Sequence, residues 1–411
     1  MTFRILTLLA IAISTSSFAS ADDDHNWVRI KLDERFRSEG GTAADLNNDG
    51  VPDVAAGDVW YQAPSDPTDL TDASKWATRE IRMPGDFVAG KGYSNSFANA
   101  AWDMNKDGWM DVVIIGFPGD PFHWYQNPGK DGGEWKQHVI WTSICNESPE
   151  FEDLDKDGTP EFIFGSQPEA RIGFVKIPAA DKVTEQFAFH PISDESAEPA
   201  AKKNRGLDNG TFKYYHGLGA GDMNGDGHRD IIIAHGWWES PGDLTTDATW
   251  EFHPIVVDGK PLPKVSNIYA DDLDMDGDAD LFLSSAHEYG VWWAENRGDA
   301  GWKLHEIDKS YSQTHAVERV DVNSDGQLDY VTGKRFFAHN GNDPGGNDEV
   351  VMYWYEVKRE KGKAPAFMPH KIVAGTGTGI GTQFEIHDMN KDGKPDIVLS
   401  NKKGVNVLVQ K

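Results

Sequence analysis

Seven stretches of the chain set oxygen-bearing side chains on alternate residues, in the pattern Asp-x-Asp/Asn-x-Asp-Gly-x-x-Asp/Glu. The first supplies Asp45, Asn47, Asp49 and Asp53, the second Asp103, Asn105, Asp107 and Asp111, and the third Asp153, Asp155, Asp157 and Glu161. The fourth and fifth supply Asp222, Asn224, Asp226, Asp230 and Asp272, Asp274, Asp276, Asp280. The last two supply Asp321, Asn323, Asp325, Asp329 and Asp388, Asn390, Asp392, Asp396. Hard oxygen donors spaced in this way, around a glycine that permits a sharp turn, suit a hard cation such as Ca²⁺. An EF-hand would add a bidentate Glu at position twelve and helices on both sides. Position twelve of the first copy is Ala56, and the following segments are strand-like, as in Ile231-Ile232-Ile233 and Leu281-Phe282-Leu283. The expectation is therefore up to seven calcium loops, each in a β-hairpin.

The elements that hold these loops repeat with them. The loops start roughly 50 to 70 residues apart, a spacing that suits the blade of a propeller. In each unit a strand runs into the acidic loop and an apolar strand leaves it. An aromatic third strand follows, as in His123-Trp124-Tyr125 and Val291-Trp292-Trp293. A fourth carries Trp/Phe-x-x-His/Arg-x-Ile, beginning at Trp76, Trp135, Phe187, Trp250, Trp302 and Phe367. Residues 27–32 look like a fourth strand with no unit before them, and the chain stops after a third strand at 405–409. The reading is an all-β, seven-bladed β-propeller over residues 22–411, with the acidic loops between first and second strands and the ring closed by the N-terminal strand.

Residues 1–21 read as a secretory signal: Arg4, an apolar run, then the small residues Ala19-Ser20-Ala21. That predicts a secreted protein, periplasmic or extracellular, with no membrane span and expected as a monomer. Cys145 is the single cysteine, so no internal disulfide can form, and calcium would do the stapling. The net charge is −28. Seven divalent ions would offset half of it, and the remainder argues against nucleic acid as a partner.

Strand direction puts all seven acidic loops on one face. The other face carries the starts of the first strands and the loops that leave the second strands. Six residues before the successive acidic loops stand Glu39, Phe97, Glu147, His216, Ser266, His315 and Thr382. A purely structural position would repeat one residue type; this one offers two His and two Glu beside the central channel. His216 and His315 with Glu39 or Glu147 could hold a second divalent metal such as zinc in the channel. A His, or Tyr214 or Tyr215, would then act as a base. Loops on the same face add Asp58 and the candidate ligand-binding residues His235, His287, Lys334, Arg335 and His339. Three long insertions, residues 82–94, 193–215 and 334–350, open there too. The same histidines also fit hydrogen-bonded channel lining. The fourth-strand histidines, His138, His190, His253, His305 and His370, recur once per blade and read as packing residues.

The seven loops resemble the FG-GAP/VCBS repeat family, which includes the integrin α-chain propellers. The Phe-Gly and Gly-Ala-Pro signatures are mostly absent, with Gly217-Leu218-Gly219-Ala220-Gly221 the nearest echo, so the VCBS-like branch fits better. The resemblance implies the propeller and its calcium, and leaves function open. Residues 332–341 and 379–383 also look like secreted bacterial VCBS proteins, and some propellers with similar repeats act on sugars, including polysaccharide lyases and aldos-2-ulose dehydratase. Three function classes follow. The first is recognition of a glycan or protein ligand on the face opposite the acidic loops. The second is a metal-assisted carbohydrate lyase or dehydratase, and the third a structural extracellular protein.

Overall fold

The structure is a computed structural model that describes residues 23–24, 26–198, 202–203, 205–245, 248–372 and 377–411. The proposed secretory signal lies outside the described residues. Apolar second strands too hydrophobic for a half-exposed sheet need cover on both faces, and a ring of blades supplies it. The chain forms seven small antiparallel sheets of four strands, with short 3-10 turns as the only helices among the described residues.

The first blade contains Thr42–Ala44, Asp53–Ala56, Val59–Gln62 and Ala77–Glu80. Blades two to six repeat the order, starting at Ala98, Glu150, Leu218, Val265 and Val317. Asp23–Asp24 adds a short parallel strand to the outer edge of blade six. Blade seven takes Phe384–His387, Asp396–Asn401 and Gly404–Gln410, and its fourth strand is Trp27–Asp33, antiparallel to Gly404–Gln410.

Second strands such as Asp111–Ile115 and Asp280–Ser285 are buried along their whole length. The core is correspondingly divided into seven apolar clusters, one between each pair of neighbouring blades. Phe122, Trp124 and Phe162 join blades two and three, and Ile30, Val54 and Val407 join blades seven and one. The fourth-strand histidines lie flat on third-strand aromatics. His253 stacks on Trp237 at 4.2 Å, His305 on Trp293 at 4.3 Å and His370 on Trp354 at 4.1 Å. Each also meets a third-strand carboxylate: Glu239, Glu295 or Glu356. They are packing residues.

Candidate functional site

The seven acidic loops share one backbone path. The fourth position is left-handed in every copy, from Asn48 at φ 55° to Gly225 at φ 76°, and the glycine at position six follows, as in Gly227 at φ 89°. A side chain at that glycine would be strained. The first carboxylate accepts from the backbone at positions five and six, as Asp222 does from Asp226 and Gly227. The ninth is buried at the base. Asp230 accepts from Met223 at 2.7 Å and from Ser240 at 2.8 Å, which ties the loop to the end of its own third strand. The same holds in every blade but the third, where Glu161 accepts from Leu154 and has Lys176 3.8 Å away. Burial pushes this carboxyl up, to about 7 in Asp53, Asp111 and Asp396 and to about 6 in Asp230.

The donor set fits a hard dication. In the third and fifth loops one oxygen each of Asp153, Asp155 and Glu161, and of Asp272, Asp274 and Asp276, lie within 4.8 Å of one another. Neighbouring loops also touch. Asn48 donates to the Gly108 carbonyl at 2.9 Å, Lys156 to that of Gly227 at 2.5 Å, and Lys391 to that of Gly50.

On the opposite face the entry positions crowd together. Thr382 of blade seven donates its amide to the Glu39 carbonyl at 2.7 Å and its hydroxyl to the Phe97 carbonyl at 2.5 Å. Ser148, beside Glu147, donates to the Thr382 carbonyl. Through this floor Arg335 reaches Glu147, to which Nη1 donates at 3.1 Å. Its Nη2 lies 3.0 Å from Glu39, close enough for an ion pair but not aligned as a hydrogen bond. Burial opposes the guanidinium charge, and the two carboxylates outweigh it.

The four residues expected to hold a channel metal therefore divide. His216 and His315 meet, with ring centroids 5.2 Å apart. Glu147 lies at the edge of that pair, its Oε1 4.0 Å from His216 Nε2. Glu39 is fully buried against Arg335 and is not part of the cluster. The third imidazole is that of His287, expected only as a ligand-binding residue. His216, His287 and His315 each offer one nitrogen within 4.8 Å of the others. Burial pushes His216 and His287 down to about 3 and His315 well below its ordinary value, so all three rings are neutral. His339 extends the group, its ring 4.6 Å from that of His287.

Several expected site residues serve structure instead. Arg335 and Lys334 are fully buried, the lysine donating to Gln313 at 2.6 Å, so neither reaches a ligand. Asp58 is buried against Arg82, 2.5 Å away. The Tyr215 hydroxyl shares a hydrogen bond with His235 Nδ1 at 2.7 Å, and burial raises its pKa. It is a poor base. The Cys145 thiol is buried, which pushes it up and leaves it inert.

His216, His235, His287, His339 and Glu147 open onto a cavity of about 690 Å³. Its walls are Tyr93, Phe117, Phe212 and Tyr214, with Lys264 at the side. Lys213 lies 5.2 Å from the centroids of both the Phe117 and Tyr214 rings. Reading the sequence named Tyr214, as a candidate base, but missed Tyr93, Phe117 and Phe212 and also Asp343, which binds His339 Nδ1 at 2.7 Å and lies 3.4 Å from His287 Nδ1. The only signal was that Tyr93, Phe212 and Asp343 fall within the three insertions.

The FG-GAP-like repeat family matches residues 103–164 and 272–332. No curated protein matches the sequence. Among solved structures, BBS1N in complex with ARL6DN is similar with a TM-score of 0.51 and 8% identity, over 94% of this chain and 97% of that one. An Agrocybe aegerita lectin, described as recognising non-reducing terminal N-acetylglucosamine, is similar at a TM-score of 0.44 and 16% identity, over 78% and 81%. A putative 6-phosphogluconolactonase from Bacteroides uniformis follows at 0.40 and 11%, over 84% and 88%. Identities this low bear on the fold alone. With matched repeats in two places and the same acidic loop in all seven blades, the chain is an FG-GAP repeat β-propeller.

Proposed function

We propose that the protein is an exported, calcium-stapled propeller that binds a carbohydrate in the cavity opposite its acidic loops. The observation that carries this is the cavity itself, which joins an aromatic wall to a polar, histidine-rich floor. Its volume suits a small ligand of one or two sugar rings and not a flat protein surface. Aromatic faces such as Tyr214 and Phe117 suit the apolar face of a sugar, while Glu147, Lys264 and the imidazoles suit its hydroxyls. Calcium in the loops fixes the blades and takes no part in recognition. Export rests on the leader-like first 21 residues.

Calorimetric titration with neutral, amino and acidic mono- and disaccharides tests the proposal. At least one sugar class should bind, and Tyr214→Ala, at a half-exposed wall position, should weaken it about tenfold or more. Absence of binding across the panel, or affinity untouched by Tyr214→Ala and Phe212→Ala together, overturns the reading. A metal-assisted lyase or dehydratase is the second reading, favoured by the three-histidine cluster, of which His216 and His287 line the cavity and His315 lies behind them, buried. Release of an unsaturated sugar product would separate it from simple binding.

A further inference from the structure

We infer that His216, His287 and His315 form a site for one borderline transition-metal dication of the zinc, cobalt or nickel class, with its remaining coordination positions open to the cavity. The three residues come from separate parts of the ring. His216 leads into the first strand of blade four, His287 follows the second strand of blade five, and His315 leads into blade six. Such distant segments have no local reason to bring three imidazoles within 4.8 Å.

The ring nitrogens are the second observation. His315 is 2% exposed, and its Nε2 is buried without a hydrogen-bond partner. His216 Nε2 is likewise buried and unpartnered. One such nitrogen in a protein interior calls for an explanation, and two in one cluster call for a shared one. Two of the three rings are held by the other nitrogen: His315 Nδ1 lies 3.4 Å from the Gln313 carbonyl, and His287 Nδ1 lies 3.4 Å from Asp343 Oδ2. Anchoring one nitrogen to a carbonyl or carboxylate while the other is left for a metal is the usual arrangement around metal-binding histidines. Asp343 is itself held by His339 at 2.7 Å and Gln313 at 3.2 Å. Left-handed backbone at Tyr214, Gln313 and His339 adds strain beside the same cluster.

Ligand type selects the ion. Three imidazoles suit zinc, cobalt, nickel or copper and are poor ligands for calcium and magnesium. The all-oxygen loops on the other face have the reverse preference. Three protein ligands with solvent access are also the pattern of a site that keeps a position free for water or a ligand oxygen. A second grouping, Glu239, Glu251 and His253, lies on the outer edge of blade four. There His253 is already stacked on Trp237 and bonded to Glu239, so it serves as a control.

The inference shares a cavity with the carbohydrate reading and does not depend on it. The full protein is stripped with a chelator, returned to calcium, and titrated with Co²⁺ alone while the visible d–d absorption is followed. One equivalent should bind and give a band of low-coordinate cobalt. Elemental analysis after zinc dialysis should give one zinc per chain. His287→Gln and His315→Gln should each lower cobalt affinity more than a hundredfold, and Asp343→Asn about tenfold. His253→Gln should change nothing. If His315→Gln fails to fold, the less buried His287→Gln still decides. No cobalt band, uptake unchanged in His287→Gln, or uptake lost in His253→Gln overturns the inference. No sugar is present, so failure of sugar binding and failure of metal binding remain separate results.

Discussion

Arg335 of blade six lies 3.0 Å from Glu39 of blade one, and both side chains are fully buried. The same guanidinium donates to Glu147 of blade three at 3.1 Å, and its carbon sits 5.6 Å from the centre of the Tyr93 ring. One cation thus ties three blades across the channel, and Glu147, whose other oxygen is 4.0 Å from His216 Nε2, links it to the histidine cluster. A planar fork is suited to serve two carboxylates at once, which a lysine ammonium is not.

Removing that cation should therefore be expensive. Arg335→Leu leaves two buried carboxylates facing each other and should cost about 3–5 kcal/mol in urea unfolding. Arg335→Lys should recover only part. Combining Arg335→Met with Glu39→Gln and Glu147→Gln should recover most of it, because no uncompensated charge then remains. An Arg335→Leu protein as stable as the parent would mean that water reaches the pair.

Contact between blades seven and one is equally specific. A Cβ built on Gly381 would lie 1.7 Å from the Glu39 carbonyl oxygen and 2.5 Å from that of Ser400. Both obstacles are backbone, so neither can rotate away. Gly381→Ala should destabilise by about 1–3 kcal/mol or more. Gly50→Ala faces no steric obstacle and meets only the penalty of its positive φ. A neutral Gly381→Ala would show that the first and seventh blades slide past each other.

The blades were legible because their signals repeat. Seven copies of Asp-x-Asp/Asn-x-Asp-Gly fix the register of every first and second strand, and Trp/Phe-x-x-His/Arg-x-Ile fixes the fourth. The site was half legible for the opposite reason. His216 and His315 stood out because they break a repeat, whereas His287 and Asp343 sit in loops with no periodic counterpart. Lys334 and Arg335 looked like ligand-binding residues because charge in a loop is normally exposed. The converging carboxylates of Glu39 and Glu147 make the burial of Arg335 tolerable, as the amide of Gln313 and the charges of Asp343 and Asp348 do for Lys334, and no sequence spacing reports that convergence.

Asp33, at the end of the N-terminal strand, gives a pH-dependent test. Burial opposes its charge, but hydrogen bonds from Arg35, Arg37 and Tyr61 hold its carboxyl down to about 2, against an ordinary 3.8. A depressed carboxyl stabilises the fold above the unfolded value and loses that contribution as pH falls through the folded one. Asp33→Asn should therefore cost about 2 kcal/mol at neutral pH. The gap between variant and parent melts should shrink as pH drops from about 4 to about 2. A gap independent of pH would assign the loss to packing around Tyr61.

Calcium should decide whether the ring survives heating, and its loops should not be equal. If each bound Ca²⁺ with a dissociation constant of about 0.1 mM in about 1 mM calcium, linkage would give roughly 1.4 kcal/mol per loop, about 10 kcal/mol for seven. That is comparable to the whole stability of a domain, so a chelator should lower the melting temperature by on the order of ten degrees or more. Asp226→Ala should lower it further than the exposed Asp299→Ala. The third loop should be the weak one. Lys176 pairs with Asp155 there and lies 3.8 Å from Glu161, so an incoming cation must displace an ammonium from two of its own ligands. In the sixth loop Lys358 pairs with Asp325 at 2.8 Å, but it is more exposed and also held by Glu356, so it competes less. A calcium isotherm should accordingly resolve a weaker class, and Lys176→Ala should tighten one site without altering the rest. An isotherm unchanged by Lys176→Ala would show that the ammonium swings away freely. A melt indifferent to chelator would show that the seven loops hold their shape through their own Asp-to-amide bonds, with no help from a metal.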